Sequence, residues 1–139
     1  MLNKDLKYSD LTGRIIGAAM EVHSILGYGF QELIYQRALA EEFLIRGIGF
    51  KREVSMDVYY KGKKIGERRV DFLVEDLISV ELKAITVLEK VHFAQAMNYL
   101  EAYNLEVGML INFGATSLQN HRFANKKFKS EIPKIQQIP

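Results

Sequence analysis

The chain has 139 residues, 48% hydrophobic and 26% charged, with no cysteine and a formal net charge of +2. That length suits a single domain over 1–139, with a core from about 9 to 114, and the lack of cysteine excludes disulfides, thiolate zinc sites and a cysteine nucleophile. No apolar run approaches the roughly 20 residues that cross a bilayer, and Met1-Leu2-Asn3-Lys4-Asp5 lacks the apolar segment of a signal peptide, so the expectation is a cytoplasmic protein with no membrane partner.

Ser9 or Asp10 can cap a first helix in which Leu11, Ile15, Ala18, Val22 and Ile25 recur at helical spacing, and Gly27 ends it. His23 on this helix reads as a packing or hydrogen-bonding residue. Gly27-Tyr28-Gly29-Phe30 breaks the pattern before a second helix from about Gln31 to Arg46, stopped by Gly47 and Gly49. Glu32, Tyr35, Leu39 and Phe43 share one stripe of that helix. Glu32, in the first turn, suits the helix dipole by about 0.3–1 kcal/mol; it also reads as an acid leaning over a site.

Val54, Met56, Val58 and Tyr60 then alternate with Glu53, Ser55, Asp57 and Tyr59, as in an antiparallel strand with one wet face. Lys61-Gly62-Lys63-Lys64 turns the chain into a run beginning at Ile65. Two further period-2 runs follow: Val70, Phe72 and Val74, then Ile78, Val80 and Leu82. Burial sets their register. A three-residue loop at Glu75-Asp76-Leu77 pairs Val74 with Ile78, Phe72 with Val80 and Val70 with Leu82, which keeps the apolar face continuous. A two-residue loop would set Glu81 among core side chains at a cost of several kcal/mol unless it is paired or protonated.

The odd loop sets Asp71 opposite Glu81 on the other face, with Lys83 two residues further along. Opposed carboxylates repel by up to about 1 kcal/mol and call for a cation. Magnesium or manganese suits this purely oxygen donor set. The plain alternative is a solvated strand face with a cross-strand salt bridge.

A third helix from about Leu88 to Tyr103 has Phe93, Ala96, Met97, Leu100 and Tyr103 as its core stripe, with His92, Gln95 and Tyr99 on a neighbouring face. If that face looks toward the acids, Gln95 and Tyr99 can hydrogen-bond phosphate oxygens or water. Val107 to Phe113 is a near-continuous apolar run, expected to lie parallel to the Glu81 strand after a right-handed crossover. Arg122 to Lys129 suggests a short edge strand, and the tail from about Ser130 a loosely held end. Basic residues cluster at Lys51-Arg52, Lys61 to Lys64, Arg68-Arg69 and Lys126 to Lys129; such clusters read as solubilising surface or as a nucleic-acid footprint.

This order of elements resembles the PD-(D/E)XK nuclease superfamily, and Asp71 followed by Glu81-Leu82-Lys83 is similar to its signature, with Val70 in place of proline. Gln95-Ala96-Met97-Asn98-Tyr99 looks like the Gln-x-x-x-Tyr motif of the RecB-like branch. Gly29-Phe30-Gln31-Glu32-Leu33-Ile34-Tyr35 and Ile111-Asn112-Phe113-Gly114 resemble the small GxxExxY proteins. The resemblance implies an α/β, restriction-endonuclease-like core: a three-strand antiparallel meander plus a parallel strand after a crossover helix, flanked by helices. It implies a metal-dependent nuclease acting on DNA, with Mg or Mn held by Asp71, Glu81, the Leu82 backbone carbonyl and Glu32. Lys83 positions or helps deprotonate the attacking water. Gln95 and Tyr99 orient phosphate or water, with His92 and Tyr35 beside the substrate, and cutting both strands calls for a homodimer. The competing readings are a nucleic-acid-binding module that does not cut and a protein-interaction domain of the same fold.

Overall fold

The computed structural model describes residues 8–130; the expectations for the first residues and for the tail beyond Ser130 lie outside them. Among the described residues the order is α1 (Ser9–Leu26), α2 (Glu32–Ile45), β1 (Phe50–Tyr60), β2 (Lys63–Val74), β3 (Ile78–Lys83), α3 (Lys90–Tyr103), β4 (Val107–Asn112) and β5 (Gln119–Ala124). The strands form one sheet in the order β1-β2-β3-β4-β5. β1, β2 and β3 are the antiparallel meander, β4 lies parallel to β3 after α3, and β5 closes the sheet antiparallel to β4. The fold class is thus the restriction-endonuclease-like α/β arrangement. The last strand is shorter and earlier than the 122–129 expected from sequence.

The odd loop is present: Val74 pairs with Ile78 and Phe72 with Val80. Glu75 and Asp76 take φ of 53° and 57°, and the turn closes on a bond from Leu77 N–H to the Val74 carbonyl at 2.9 Å. The Val70–Leu82 pair does not form, because β2 leaves β3 beyond Phe72. That divergence opens the sheet where Asp71 sits.

One sheet face carries Phe72, Val74, Ile78, Val80, Leu82, Val107, Met109, Ile111 and Phe113, and packs with Ile15, Ala18, Ala19 and Val22 of α1 and Tyr35, Leu39 and Phe43 of α2. Phe43 meets Phe72 edge-on at 5.2 Å between ring centres, a favoured aromatic geometry. α3 covers the opposite face so closely that a Cβ on Gly108 would stand 2.6 Å from Ser79 Oγ and 2.7 Å from Leu100 Cδ2.

Three local expectations change. Tyr8, not Ser9 or Asp10, caps α1, without a side-chain bond. Ile25 is exposed, since the α1 stripe facing the sheet runs from Val22 to the partly buried Leu26 instead. On α3 the buried residues are Ala96, Tyr99 and Leu100, with Phe93 and Met97 only partly covered; the large Tyr99 ring occupies the interface that Met97 was expected to fill.

Candidate active site

Asp71 stands where β2 peels away from β3. A strand N–H that loses its neighbour needs another acceptor, and Leu82 N–H donates to Asp71 Oδ2 at 2.7 Å. Gln36 Nε2 donates to Asp71 Oδ1 at 2.7 Å, and Arg52 Nη2 donates to Gln36 Oε1 at 2.8 Å. A relay thus runs from β1 through α2 to the acid. Burial pushes the Asp71 carboxyl up, while the Leu82 N–H, the Gln36 amide and Lys83 pull it down.

Glu81 is 8% exposed. Its Oε1 lies 3.5 Å from Arg68 Nη2 and finds no hydrogen-bond partner among the described residues. Burial first, and the neighbouring Asp71 charge second, push its carboxyl up to about 7 against the opposing fields of Arg68 and Lys83. Glu32, on the first turn of α2, is raised by burial and by Asp71, and lowered by Lys83. Lys83 is half-buried and is the electrostatic neighbour of Glu32, Asp71 and Glu81 together. The three acids and the lysine picked out from sequence therefore share one field at the sheet opening.

Gln95 reaches this neighbourhood through its backbone: its carbonyl accepts from Arg68 Nη2 at 2.7 Å, and Arg68 faces Glu81. Tyr35, Tyr99 and His92, expected beside the substrate, each make a bond to the backbone. Tyr35 is fully buried and stacks on Phe113 at 4.7 Å; its hydroxyl donates to the Gly27 carbonyl at 2.6 Å and accepts from Phe30 N–H at 3.2 Å. The tyrosine of the Gly29-to-Tyr35 motif thereby locks the turn entering α2. Tyr99 is buried and donates to the Val54 carbonyl at 3.2 Å, tying α3 to β1. His92 Nδ1 accepts from Glu89 N–H at 2.9 Å and closes the capping box of α3.

Removing the Tyr35 hydroxyl leaves two partly buried backbone groups short of a partner. Tyr35→Phe is expected to cost about 1–2 kcal/mol, read as a lower thermal midpoint with the fold retained.

Gln36, Arg52, Arg68 and Asn112 were not picked out from sequence as site residues. A signal existed for Gln36, which lies one turn beyond Glu32 on the same helix face. Asn112, fully buried, accepts at Oδ1 from Ile85 N–H (3.0 Å) and Gly114 N–H (3.1 Å). Its Nδ2 donates to the Ile85 carbonyl and Gln119 Oε1, both at 2.8 Å. It pins the segment that directly follows Lys83.

Among the described residues no three His, Cys, Asp or Glu side chains stand close enough as placed to hold a metal ion. Asp71 has both oxygens engaged, and Glu81 faces Arg68. The chemistry of the set nonetheless fits a hard divalent cation: a buried Glu81 oxygen without a hydrogen bond among the described residues, beside a second acid, Asp71, that disfavours its charge. Asp71 and Glu81, with Glu32 adjacent, are the groups to hold it.

A search among curated proteins finds no match. A solved structure described as the crystal structure of SSO0001 is similar in fold, with a TM-score of 0.55 at 15% identity over 88% of this chain, which spans 62% of that structure's length. A family model described as the PD-(D/E)XK nuclease superfamily matches residues 9–123. Matched from Ser9 to Phe123, most of its length, the chain belongs to the PD-(D/E)XK nuclease superfamily.

Proposed function

We propose that the protein is a metal-dependent nuclease of the GxxExxY kind that hydrolyses phosphodiester bonds of DNA. The observation that carries this reading is Glu81: a buried carboxylate whose Oε1 lacks a hydrogen bond among the described residues, set beside Asp71 and Lys83 at an opening in the sheet. An acid kept in such surroundings is costly to the fold, and a cation relieves that cost.

Asp71 and Glu81 hold magnesium or manganese in this reading, with Glu32 as a third acid. The Leu82 carbonyl is available to them, because in an extended strand a residue's C=O points to the same side as its N–H, here the side of Asp71. When bound, the cation supplies Lewis acidity toward a phosphoryl oxygen and lowers the pKa of coordinated water. Gln36 and Leu82 N–H fix the Asp71 carboxylate, so its orientation is set before substrate arrives. The Lys83 ammonium offsets negative charge growing at phosphorus and holds the attacking water by a hydrogen bond. In this reading Gln95, on the helix above Arg68, orients the phosphate or that water.

The test is cleavage of single-stranded, duplex and branched DNA with magnesium or manganese, before and after Lys83→Ala. The parent is expected to cut only with metal, and the variant to lose about a thousandfold in rate, the scale of several kcal/mol of transition-state charge stabilisation. A parent that binds metal yet cuts none of these substrates overturns the reading. It would favour a nucleic-acid-binding module that does not cut, a reading supported by the engagement of both Asp71 oxygens and by Arg68 facing Glu81.

A further inference from the structure

Among the described residues, most of the β1–β2 hairpin has no third strand beside it. β3 pairs only with Phe72 to Val74, whereas β1 and β2 remain paired from Phe50–Val74 out to Tyr60–Lys63. From Asp71 to Lys63 the strand runs out about 26 Å at roughly 3.3 Å per residue. A shift of register between Val58 and Tyr59 adds the local twist that bulges bring. The ribbon starts at the candidate site and ends in a two-residue turn.

At that turn Lys61 and Gly62 take φ of 48° and 82°. A left-handed conformation costs a non-glycine residue about 1–2 kcal/mol, and Asn is the side chain that tolerates it best. The chain instead puts a lysine at the extreme tip, its Nζ 5.4 Å from the centre of the Tyr60 ring. Lys61, Lys63 and Lys64 are all exposed. Tyr59, Tyr60 and Ile65 near them are 43%, 60% and 65% exposed.

Charge identifies the occupant. Residues 50–70 carry Lys51, Arg52, Lys61, Lys63, Lys64, Arg68 and Arg69 against Glu53, Asp57 and Glu67, a net +4 in a chain whose total is +2. Lys64 bridges both Asp57 and Glu67 and Arg69 faces Glu53; residues 57–67 therefore carry a net +1, with Lys61 and Lys63 as the exposed cations of the tip, and the base of the ribbon carries the remaining +3. Two copies of such a ribbon repel each other. A two-stranded ribbon fits a duplex major groove about 12 Å wide, lined by phosphates on both sides. A rigid ligand is also needed to reach a cationic tip about 26 Å from Asp71 while lying on the site.

We propose that the β1–β2 ribbon is an arm that docks in the groove of double-stranded nucleic acid and makes a duplex the preferred substrate. The orientation of that duplex, though not the arm itself, rests on the nuclease reading. Binding is measured by fluorescence anisotropy in a metal chelator, so that no cleavage contributes, with a labelled DNA duplex and its separate strand.

The double variant Lys61→Asn, Lys63→Thr removes two cations and puts residues suited to the turn and the strand in their places, and its thermal midpoint is expected to be unchanged or raised. Duplex affinity should fall about tenfold and the slope of log affinity against log salt by about 2, with single-strand affinity held to within about twofold. Duplex binding equal to the parent's overturns the proposal. So does an equal loss for duplex and single strand, or self-association of the parent that Ile65→Ser abolishes. A chain that binds duplex through the arm yet cleaves nothing overturns the nuclease reading and supports the arm. A chain that cleaves but is indifferent to the double variant overturns the arm alone.

Discussion

Glu81→Gln is expected to make the metal-free protein more stable at pH 8 and to abolish its cleavage. The folded carboxyl titrates at about 7 against 4.5 for the free group. A carboxyl raised on folding is bound by its proton more tightly in the native state. Its favourable contribution is therefore complete below pH 4.5, declines as pH rises and is gone above 7. Two and a half pKa units correspond to about 3 kcal/mol lost between those limits, with little discount for solvent because the side chain is 11% exposed.

Glutamine has nearly the same shape without the charge, so it recovers most of that amount. Loss of the attraction to Arg68 subtracts part of it, yet Arg68 is 30% exposed and keeps its bond to the Gln95 carbonyl. The net gain at pH 8 is about 2 kcal/mol, or roughly 2–4 °C in midpoint per kcal/mol, vanishing near pH 4. Metal affinity measured by calorimetry should fall sharply, and cleavage by about a thousandfold or more. In the parent, metal uptake near pH 6 should release a proton, because the cation and the proton compete for one carboxylate. A variant less stable than the parent at pH 8 sinks this account of a carboxylate held against its preference.

Asn112→Leu is expected to bring the largest loss of stability. Leucine has the same heavy-atom branching but none of the four hydrogen bonds, so Ile85 N–H, the Ile85 carbonyl and Gly114 N–H lose their partner in the interior. At about 1–3 kcal/mol for each buried group left unsatisfied, the cost is about 4 kcal/mol. That is a large share of the roughly 5–15 kcal/mol that holds a domain together. The midpoint should drop by about 10 °C, and amide exchange around Ala84 and Ile85 should quicken first. The segment is tightly set there, since a Cβ on Gly114 would overlap the backbone of Ala84 and Ile85. A midpoint within about 2 °C of the parent's would show that the bonds are replaced by water or by rearrangement.

The hairpin register was legible because alternation with one buried face admits a single alignment. Asp71, Glu81 and Lys83 came with it, since their proximity follows from spacing along two adjoining strands. Residues whose role depends on distant partners were not legible. Arg68 is an instance. In regular pleating Val70, Phe72 and Arg68 share a face, and Phe72 does pack on Phe43 of α2. Arg68, however, meets Gln95 of α3 on the other side of the sheet, and Met56 and Val58, across the ladder, line a groove with Tyr99. Between these halves Glu53 takes a φ of 52° opposite Asp71, and the ribbon turns its face over there. A left-handed glutamate has no signature in hydrophobic periodicity. Tyr35, Tyr99 and His92 show the converse: their helical spacing is legible, but the backbone groups that engage both hydroxyls and Nδ1 of the His92 ring are not revealed by spacing.

The bond that orients Asp71 comes from main chain, not from a side chain. Every amino acid but one supplies that amide, so position 82 can drift among aliphatic residues while the carboxylate keeps its aim. Proline alone is barred. The anchor is thus hidden from alanine scanning, and an amide-to-ester replacement at that residue would expose it.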